Sequence, residues 1–211
     1  YRVPGVSTST DNGKTWLDFS TMPTTVLDNY ILSSNGTISR SFIIGYDQDA
    51  FVVTNVDEYS YICRMYISDG STFAEIHLVE MYKKSNNWGI RKIADILDVP
   101  QLMFDGSENT ATQIKEFYTS SDLGNEVSIS KTADGENLLV KWVDYNDQIA
   151  PVVLSPAMTV YYYDADNNET TKTIDTLYTT DIYTSYRNVS GTSWSQPNNI
   201  TNDNTYDRVA H

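Results

Sequence analysis

A short acidic turn carries the residues best suited to hold a metal ion. Asp164, Asp166 and Asn168 follow the pattern D-x-D-x-N, with which calcium-binding loops begin. Such loops also have glycine at the sixth position and a bidentate glutamate at the twelfth, where this chain has Glu169 and Asp175. Two interpretations are open: a calcium site, and an ordinary acidic turn, which the two missing residues favour. We predict no other cofactor.

The two histidines indicate no familiar catalytic motif. Neither His77 nor His211 belongs to an H-E-x-x-H sequence, and the chain has no G-x-S-x-G and no glycine-rich phosphate loop. His77 lies in the alternating run 74–80, so we interpret it as a strand-surface or hydrogen-bonded residue. Zinc-protease, α/β-hydrolase and nucleotide-binding functions are therefore not indicated.

Residues 9–16, which read S-T-D-N-G-K-T-W, predict a tight turn between two strands. Asn and Gly tolerate the positive φ angles of such turns, and Asp11 can fold its carboxylate back onto the turn's N–H groups. Trp16 then opens the outgoing strand with a large apolar surface that we expect to be buried.

This S-x-D-x-G-x-T-W stretch resembles the Asp-box, or BNR repeat, of sialidases, sortilin-type receptors and many secreted propellers. The resemblance implies a β-propeller blade, a four-stranded antiparallel sheet, with Trp16 in the seam between blades. It makes Asp11 a structural clasp; the alternative is Asp11 as catalytic acid or metal ligand.

Two further tryptophans suggest degenerate copies of the box. Trp88 follows the turn 83–87, and Trp194 follows a turn in which Gly191 corresponds to the box glycine. At the second copy Val189 replaces the box aspartate and Arg187 replaces the box serine. We therefore expect the side-chain clasp to be lost there while the turn and the tryptophan survive.

A sialidase-like glycoside hydrolase would need arginines that converge on the substrate carboxylate. The opening residues 1–4 resemble the [FY]-R-I-P motif of sialidases. In sialidases that motif lies well before the first box, on an earlier strand, whereas here it is directly next to the box. The candidates by residue type are Arg2, Arg40, Arg64, Arg91, Arg187 and Arg208. Because no spacing singles out a cluster, we predict no catalytic residues and no enzyme activity.

Composition limits the partners. The net charge is -14 and the pI about 4.3, which disfavours nucleic acid and anionic membranes. No run of apolar residues is long enough to span a membrane, and no signal peptide is visible, so we expect a mature product or a fragment. Cys63, the single cysteine, is expected to be buried. N-glycosylation sequons begin at Asn35, Asn168, Asn188 and Asn199.

Alternation and turn residues predict a chain of short strands. Residues 21–38 are expected to form a loop, and Thr110 to Phe117 a helical segment. Residues 144–179 read as an insertion that carries a hairpin. The strands are predicted at 39–45, 50–55, 60–67, 73–82, 126–130, 137–143, 159–163, 170–174 and 181–187.

Tyrosines beside the acidic turn offer one binding surface. Two interpretations are open for these side chains: they bind carbohydrate or protein, or they simply pack within the hairpin. The residues are Tyr161, Tyr162, Tyr163, Tyr178 and Tyr183.

The sequence as a whole predicts an all-β fold. We expect residues 1–211 to be one segment of a longer β-propeller; a β-sandwich is the second choice. The expected function is that of a non-enzymatic, secreted or cell-surface module of bacterial origin that binds protein or carbohydrate in adhesion or assembly. The alternative is part of a sialidase-like hydrolase.

Overall fold

Short antiparallel strands joined by tight turns make up most of the chain in the computed structural model. The structure describes residues 3–35, 50–68, 73–97, 99–108, 115–123, 125–146, 152–155, 158–163, 169–174, 177–205 and 207. The elements of the first half are β1 (Gly5–Val6), β2 (Ser20–Thr21), α1 (Thr24–Asn35), β3 (Phe51–Asn55), β4 (Glu58–Ser68), β5 (Phe73–Lys84) and β6 (Asn87–Asp95).

The second half is also composed of strands in the described residues. They are β7 (Pro100–Glu108), β8 (Lys115–Leu123), β9 (Ser128–Lys131), β10 (Asn137–Asp144), β11 (Val153–Ser155), β12 (Met158–Tyr163), β13 (Glu169–Ile174), β14 (Leu177–Tyr178), β15 (Asp181–Asn188) and β16 (Asn198–Asn199). The all-β prediction is therefore confirmed in its coarse form.

Strands β3 to β6 form a four-stranded antiparallel sheet in chain order. Its turns use residues that accept left-handed backbone: Asp57 has φ 57° between β3 and β4, and Ser85 and Asn86 have φ 49° and 64° between β5 and β6. The strands predicted at 50–55, 60–67 and 73–82 are confirmed. The strand predicted at 39–45 lies outside the described residues.

Helix α1 occupies residues 24–35 of the loop that the sequence predicted for residues 21–38, so that prediction was wrong there; residues 36–38 lie outside the described part. Val26, Leu27, Tyr30 and Ile31 stand at helical spacing, and they place one apolar side of the helix against the sheet. This core contains Met22, Leu27, Ile31, Cys63, Met65, Ile67, Val79 and Met81. Among the described residues, no helix is long and apolar enough to cross a membrane.

Strand β5 is covered on both faces. Val79 and Met81 face the core beneath α1, while the alternate residues Leu78 and Glu80 are fully buried as well. Cys63 is buried as predicted, and burial raises the pKa of its thiol. Alternation along β5 therefore separates two buried faces and not an inside from an outside.

Gly89 makes room for an aromatic ring on the sheet. It pairs with Tyr82 across β5 and β6, and a Cβ at position 89 would stand 2.4 Å from the Tyr82 ring. The guanidinium of Arg91 lies 3.7 Å from the centre of the same ring. The glycine thus lets Tyr82 lie flat and support Arg91.

A second four-stranded sheet has the strand order β16-β15-β10-β9. Strands β9 and β10 are antiparallel and are joined by a turn in which Gly135 has φ 77°. Asp134 accepts hydrogen bonds from Thr132 Oγ1 and from the N–H of Glu136. Both bonds lower the pKa of Asp134, and the bond from Thr132 has the larger effect. The strands predicted at 126–130, 137–143 and 181–187 are confirmed.

Between β10 and β15 the chain forms small sheets of its own. Strand β12 pairs with β13, which confirms the hairpin strands predicted at 159–163 and 170–174, and β11 pairs with β14. That residues 144–179 are an insertion stays a prediction. Earlier in the chain, before β9, strands β7 and β8 form another hairpin. Residues 115–117 are strand, so the predicted helix over Thr110 to Phe117 was wrong there; residues 109–114 lie outside the described part.

The chain divides into two compact units. Unit 1 comprises Tyr1–Ile96, Val127–Lys141 and Thr184–Asn198, and unit 2 comprises Leu97–Glu126, Trp142–Tyr183 and Asn199–His211. Unit 2 has a small apolar cluster around Val99 and Val143. The structure thus shows antiparallel sheets with little helix, and the propeller stays a prediction.

Leu27→Ala should destabilise the protein by about 2–5 kcal/mol, because it opens a cavity between α1 and the sheet. Leu27 is 1% exposed. Leu32→Ala on the same helix is the matched control, because Leu32 is 46% exposed, and its cost should stay within about 0.5 kcal/mol. Urea unfolding measures both; equal losses would contradict the packing of α1.

Candidate functional site

The box turn forms the predicted side-chain clasp. The Asp11 carboxylate accepts hydrogen bonds from the N–H of Thr15 at 2.8 Å, from Thr15 Oγ1 at 2.7 Å and from Ser9 Oγ at 2.8 Å. Ser9 Oγ in turn accepts from the N–H of Gly13 at 2.7 Å. Gly13 itself has φ 83°, so the left-handed backbone predicted for this turn is confirmed.

Asp11 is therefore an acceptor in a turn, and its charge is stabilised. The side-chain hydrogen bond from Thr15, followed by its backbone N–H and by Ser9, lowers the pKa of Asp11 to about 2. A carboxylate whose pKa is low cannot act as a general acid near neutral pH. The interpretation of Asp11 as a structural clasp agrees with this geometry.

The large apolar residues at the end of the box and just after it are exposed. Trp16, Leu17 and Phe19 are 65%, 64% and 73% exposed, so the expectation that Trp16 is buried was wrong. The indole Nε1 of Trp16 donates to the carbonyl of Gly13 at 3.2 Å, which holds the ring against the turn. We call Trp16, Leu17 and Phe19 the apolar strip.

The three tryptophans proposed as repeats have different surroundings. Trp88 packs against the core beneath α1, whereas Trp194 donates from Nε1 to Glu80 Oε2 at 3.0 Å. Trp16 shares neither environment. A common burial role for the three indoles was therefore wrong.

The degenerate copy near Trp194 keeps a clasp that the sequence did not predict. Asn188 Oδ1 accepts from the N–H of Ser190 at 2.9 Å and from its hydroxyl, one position before the Val189 that replaces the box aspartate. The N–H of Gly191 donates to the carbonyl of Asn188. The turn survives as expected, and the clasp of the box aspartate and serine is lost as expected, because Val189 has no acceptor and Arg187 pairs with Glu80. The neighbouring Asn188 amide supplies a different clasp.

Arg187, which stands where the box has serine, belongs to a buried ion pair in unit 1. Its guanidinium donates from Nη2 to Glu80 Oε1 and from Nε to Oε2 at 3.1 Å. Glu80 also accepts from Ser60 Oγ at 2.5 Å, from Arg91 at 3.2 Å and from Trp194. Both oxygens of the buried Glu80 carboxylate thus have at least two donors each.

Two opposing effects act on the pKa of Glu80. Burial on its own raises it, but the hydrogen bonds and charge of Arg187, helped by Ser60 and Arg91, outweigh burial and hold it below its ordinary value. Glu80 is therefore ionised at neutral pH, although its side chain is fully buried.

The described arginines do not form an open substrate clamp. Arg187 and Arg91 both contact the protein's own Glu80, and Arg64 is buried with its guanidinium 5.6 Å from the ring centre of Tyr66. The remaining candidates, Arg2, Arg40 and Arg208, lie outside the described residues.

Sequence reasoning missed a mixed cluster around His77. This histidine is 1% exposed, so a strand-surface position was wrong, whereas its hydrogen bonding is confirmed. Its Nε2 lies 2.6 Å from Glu75 Oε2 and 3.3 Å from Asp95 Oδ1, and its Nδ1 lies 2.9 Å from the hydroxyl of Tyr30. The signal was present in E-x-H on β5, but the pairing with Asp95 of β6 depends on register.

Unit 2 contains an oxygen-only cluster of Asp181, Asp203 and Asp207. Asp181 is fully buried, and its carboxylate accepts from the amides of Asn146 at 2.5 Å and Asn199 at 2.7 Å. These bonds satisfy the buried charge from within the protein. The predicted calcium ligands Asp164, Asp166 and Asn168 lie outside the described residues, so that site stays a prediction.

The tyrosine surface is in part an interior contact. Tyr183 is 6% exposed, stacks on Trp142 and donates to the carbonyl of Tyr145, so for this residue the packing alternative holds and the binding alternative was wrong. Tyr178 contacts Tyr145 edge to face. The side chains of residues 161–163 lie outside the described part.

One sequon is already engaged in unit 2. Asn199 Nδ2 donates to Asp181 and, at 3.3 Å, to the hydroxyl of Tyr183. A glycan on that nitrogen would break both contacts. The sequon at Asn188 is exposed, and the side chains of Asn35 and Asn168 lie outside the described part.

Neither a scan against protein-family models nor searches of curated proteins and of solved structures found a match to this chain. The resemblance to the Asp-box family therefore depends on residues 9–16 and on the turn that they form. Membership of that family stays a prediction.

The Asp11 carboxyl should titrate at about pH 2, well below the ordinary 3.8, when its side-chain carbon is followed by NMR. Because the folded pKa is the lower one, the clasp stabilises the turn above pH 3.8 and loses this contribution as the pH falls through about 2. Thr15→Val removes one donor and should raise the pKa of Asp11. Thr10→Val, at an exposed position in the same turn, should leave it unchanged.

Arg187→Met should destabilise the protein by about 3–5 kcal/mol, because it leaves Glu80 buried without its closest cation. Lys84→Met, at an exposed position of β5, is the control and should change stability by less than about 0.5 kcal/mol. Chemical denaturation measures both. A loss below about 1 kcal/mol for Arg187→Met would contradict the network.

The same pair should make stability depend on pH. Since the folded pKa of Glu80 is lowered from 4.5, its contribution is present above that value and is lost as the pH falls below it. Thermal unfolding of Glu80→Gln should therefore depend less on pH below about 4.5 than that of the wild type. Parallel pH profiles for the two proteins would argue against this assignment.

Proposed function

We propose that this chain is part of an Asp-box β-propeller that acts as a non-enzymatic, extracellular or cell-surface module and binds a protein partner. The observation that carries the proposal is the apolar strip, in which Trp16, Leu17 and Phe19 are each more than 60% exposed. These three large side chains lie within four residues and are interrupted only by the polar Asp18. Soluble domains seldom expose such groups together without a binding role.

Strand order supports the propeller part of the proposal. The sheet β3-β4-β5-β6 is a meander in chain order, which is the arrangement of a propeller blade. The sheet β16-β15-β10-β9 follows chain order too, once the segments between β10 and β15 are set aside as an insertion. The clasp around Asp11 supplies the turn that the family resemblance implies.

The chemistry of the strip favours protein over carbohydrate as the ligand. Leu17 offers no ring face for a sugar, and aromatic side chains next to aliphatic ones are typical of the centres of protein interfaces. The clasp fixes the turn before the strip, so binding costs little conformational entropy. The net charge of -14 favours a partner with a basic rim around its apolar centre.

The pairing of two arginines with the protein's own Glu80 favours a binding module over a hydrolase. A sialidase-like site needs guanidinium groups that are open to a substrate carboxylate. Arg91 and Arg187 instead neutralise Glu80. No described residue set supports the second candidate, a sialidase-like hydrolase.

Leu17→Ser/Phe19→Ser should weaken binding to a protein partner at least about tenfold, because apolar anchors carry most interface energy. The biotinylated chain is screened against arrays of secreted proteins and of glycans, and each hit is titrated by biolayer interferometry. Val56→Ser is the matched control, because Val56 is 83% exposed and lies on another turn. It should bind like the wild type.

Two results would contradict the proposal. Equal binding by the strip variant and the control would show that the strip is not the interface. Hits confined to glycans would overturn the choice of a protein ligand, and turnover of a sialoside by the purified chain would overturn the non-enzymatic assignment.

A further inference from the structure

We propose that Glu75, His77 and Asp95 bind a divalent first-row transition-metal ion, with Zn²⁺ as the reference ion. This inference is independent of the proposed binding function. All three residues lie in unit 1, and each offers one ligand atom within 4.8 Å of the others.

Strand geometry brings the three groups together. Glu75 and His77 are two apart on β5, so their side chains leave the same face of the sheet. Asp95 is the residue of β6 that pairs with His77. The convergence follows from a period of two along one strand and from register across to the next.

The distances around Nε2 are compatible with a shared proton and also with a metal ion. The single proton of Nε2 can serve Glu75 at 2.6 Å, yet Asp95 Oδ1 is directed at the same nitrogen from 3.3 Å. Ligand atoms of a tetrahedral ion bound at about 2.1 Å lie roughly 3.4 Å apart. Asp95 is already at that spacing, and Glu75 would need to move outward by less than about 1 Å.

Tyr30 on α1 orients the imidazole. Its hydroxyl lies 2.9 Å from Nδ1, so Nδ1 can carry the ring proton and donate it to Tyr30 while Nε2 binds the ion. Histidines that bind metals usually donate their other N–H in this way, which fixes the tautomer and the ring orientation. The ring is 1% exposed and therefore cannot turn away freely.

One imidazole and two carboxylates form a borderline donor set that suits Zn²⁺, Mn²⁺, Fe²⁺ or Co²⁺. The side chains of Glu75 and Asp95 are 50% and 69% exposed, so an ion can enter from solvent and keep water at its remaining positions. Lys92 competes for the site, because its Nζ lies 2.5 Å from Asp95 Oδ1. Its side chain is 41% exposed and can leave into solvent.

Calorimetry with Zn²⁺ on the full 211-residue chain tests the proposal, together with the NMR shift of His77 Nε2 as a readout specific to this site. We expect one saturable site that moves the Nε2 resonance. Glu75→Gln and Asp95→Asn keep shape at exposed positions, and each should weaken this site at least about tenfold. Lys92→Met should tighten it, because a competing cation is removed.

Glu136→Gln is the control for general attraction to an acidic chain, and it should leave the affinity unchanged, because Glu136 is exposed on a different turn. Co²⁺ should give visible d–d absorption in the wild type that Glu75→Gln diminishes. The proposal is overturned if Zn²⁺ leaves the His77 Nε2 resonance in place, or if both carboxamide variants bind as tightly as the control.

Discussion

The neutralisation of one buried carboxylate is the constraint on which the described part of unit 1 depends most. Glu80 lies near the middle of β5, where both faces of the strand are covered, and an ionised group there is tolerable only if donors surround it. Those donors come from β4, β6, β15 and the segment that follows β15. The requirement for so many partners at one carboxylate fixes the positions of several segments at once.

This constraint explains why the second turn departs from the Asp-box pattern. Serine at position 187 would be too short to reach Glu80, whereas arginine reaches it and also donates to the carbonyls of Asn188 and Val189. The turn is thus held by a cation on one side and by the Asn188 amide on the other. Trp194 donates to the same carboxylate, whereas Trp16, the last residue of the intact box, donates to the carbonyl of Gly13 in its own turn.

Local signals in the sequence were sufficient for the hairpins. Asn, Asp and Gly marked the turns at residues 12–13 and 134–135 because they are typical turn residues, and Asn12, Gly13 and Gly135 adopt the left-handed backbone that such residues readily accept. Helix α1 was missed although Leu27 and Ile31 have helical spacing. Pro23 before it and Gly36 after it are residues that usually end helices and strands, and they suggested a loop.

Contacts between distant residues were beyond the reach of the sequence. Arg187 and Glu80 are 107 positions apart, and nothing local marks either as a partner of the other. A surface position for His77 was one of two alternatives because alternation in β5 was taken to separate core from solvent. Because α1 covers one face of β5 and Arg187 and Trp194 cover the other, alternation along this strand no longer distinguishes buried from exposed side chains.

The bond pattern of the box also bears on how the protein ages. Asn12 precedes Gly13, and an asparagine before glycine is the sequence most prone to deamidation, in which the glycine nitrogen attacks the side-chain amide and forms a succinimide. In this turn that nitrogen donates its hydrogen to Ser9 Oγ at 2.7 Å, and the backbone is held in a left-handed bend. The bend therefore protects a chemically fragile peptide link for as long as the carboxylate of Asp11 keeps it closed.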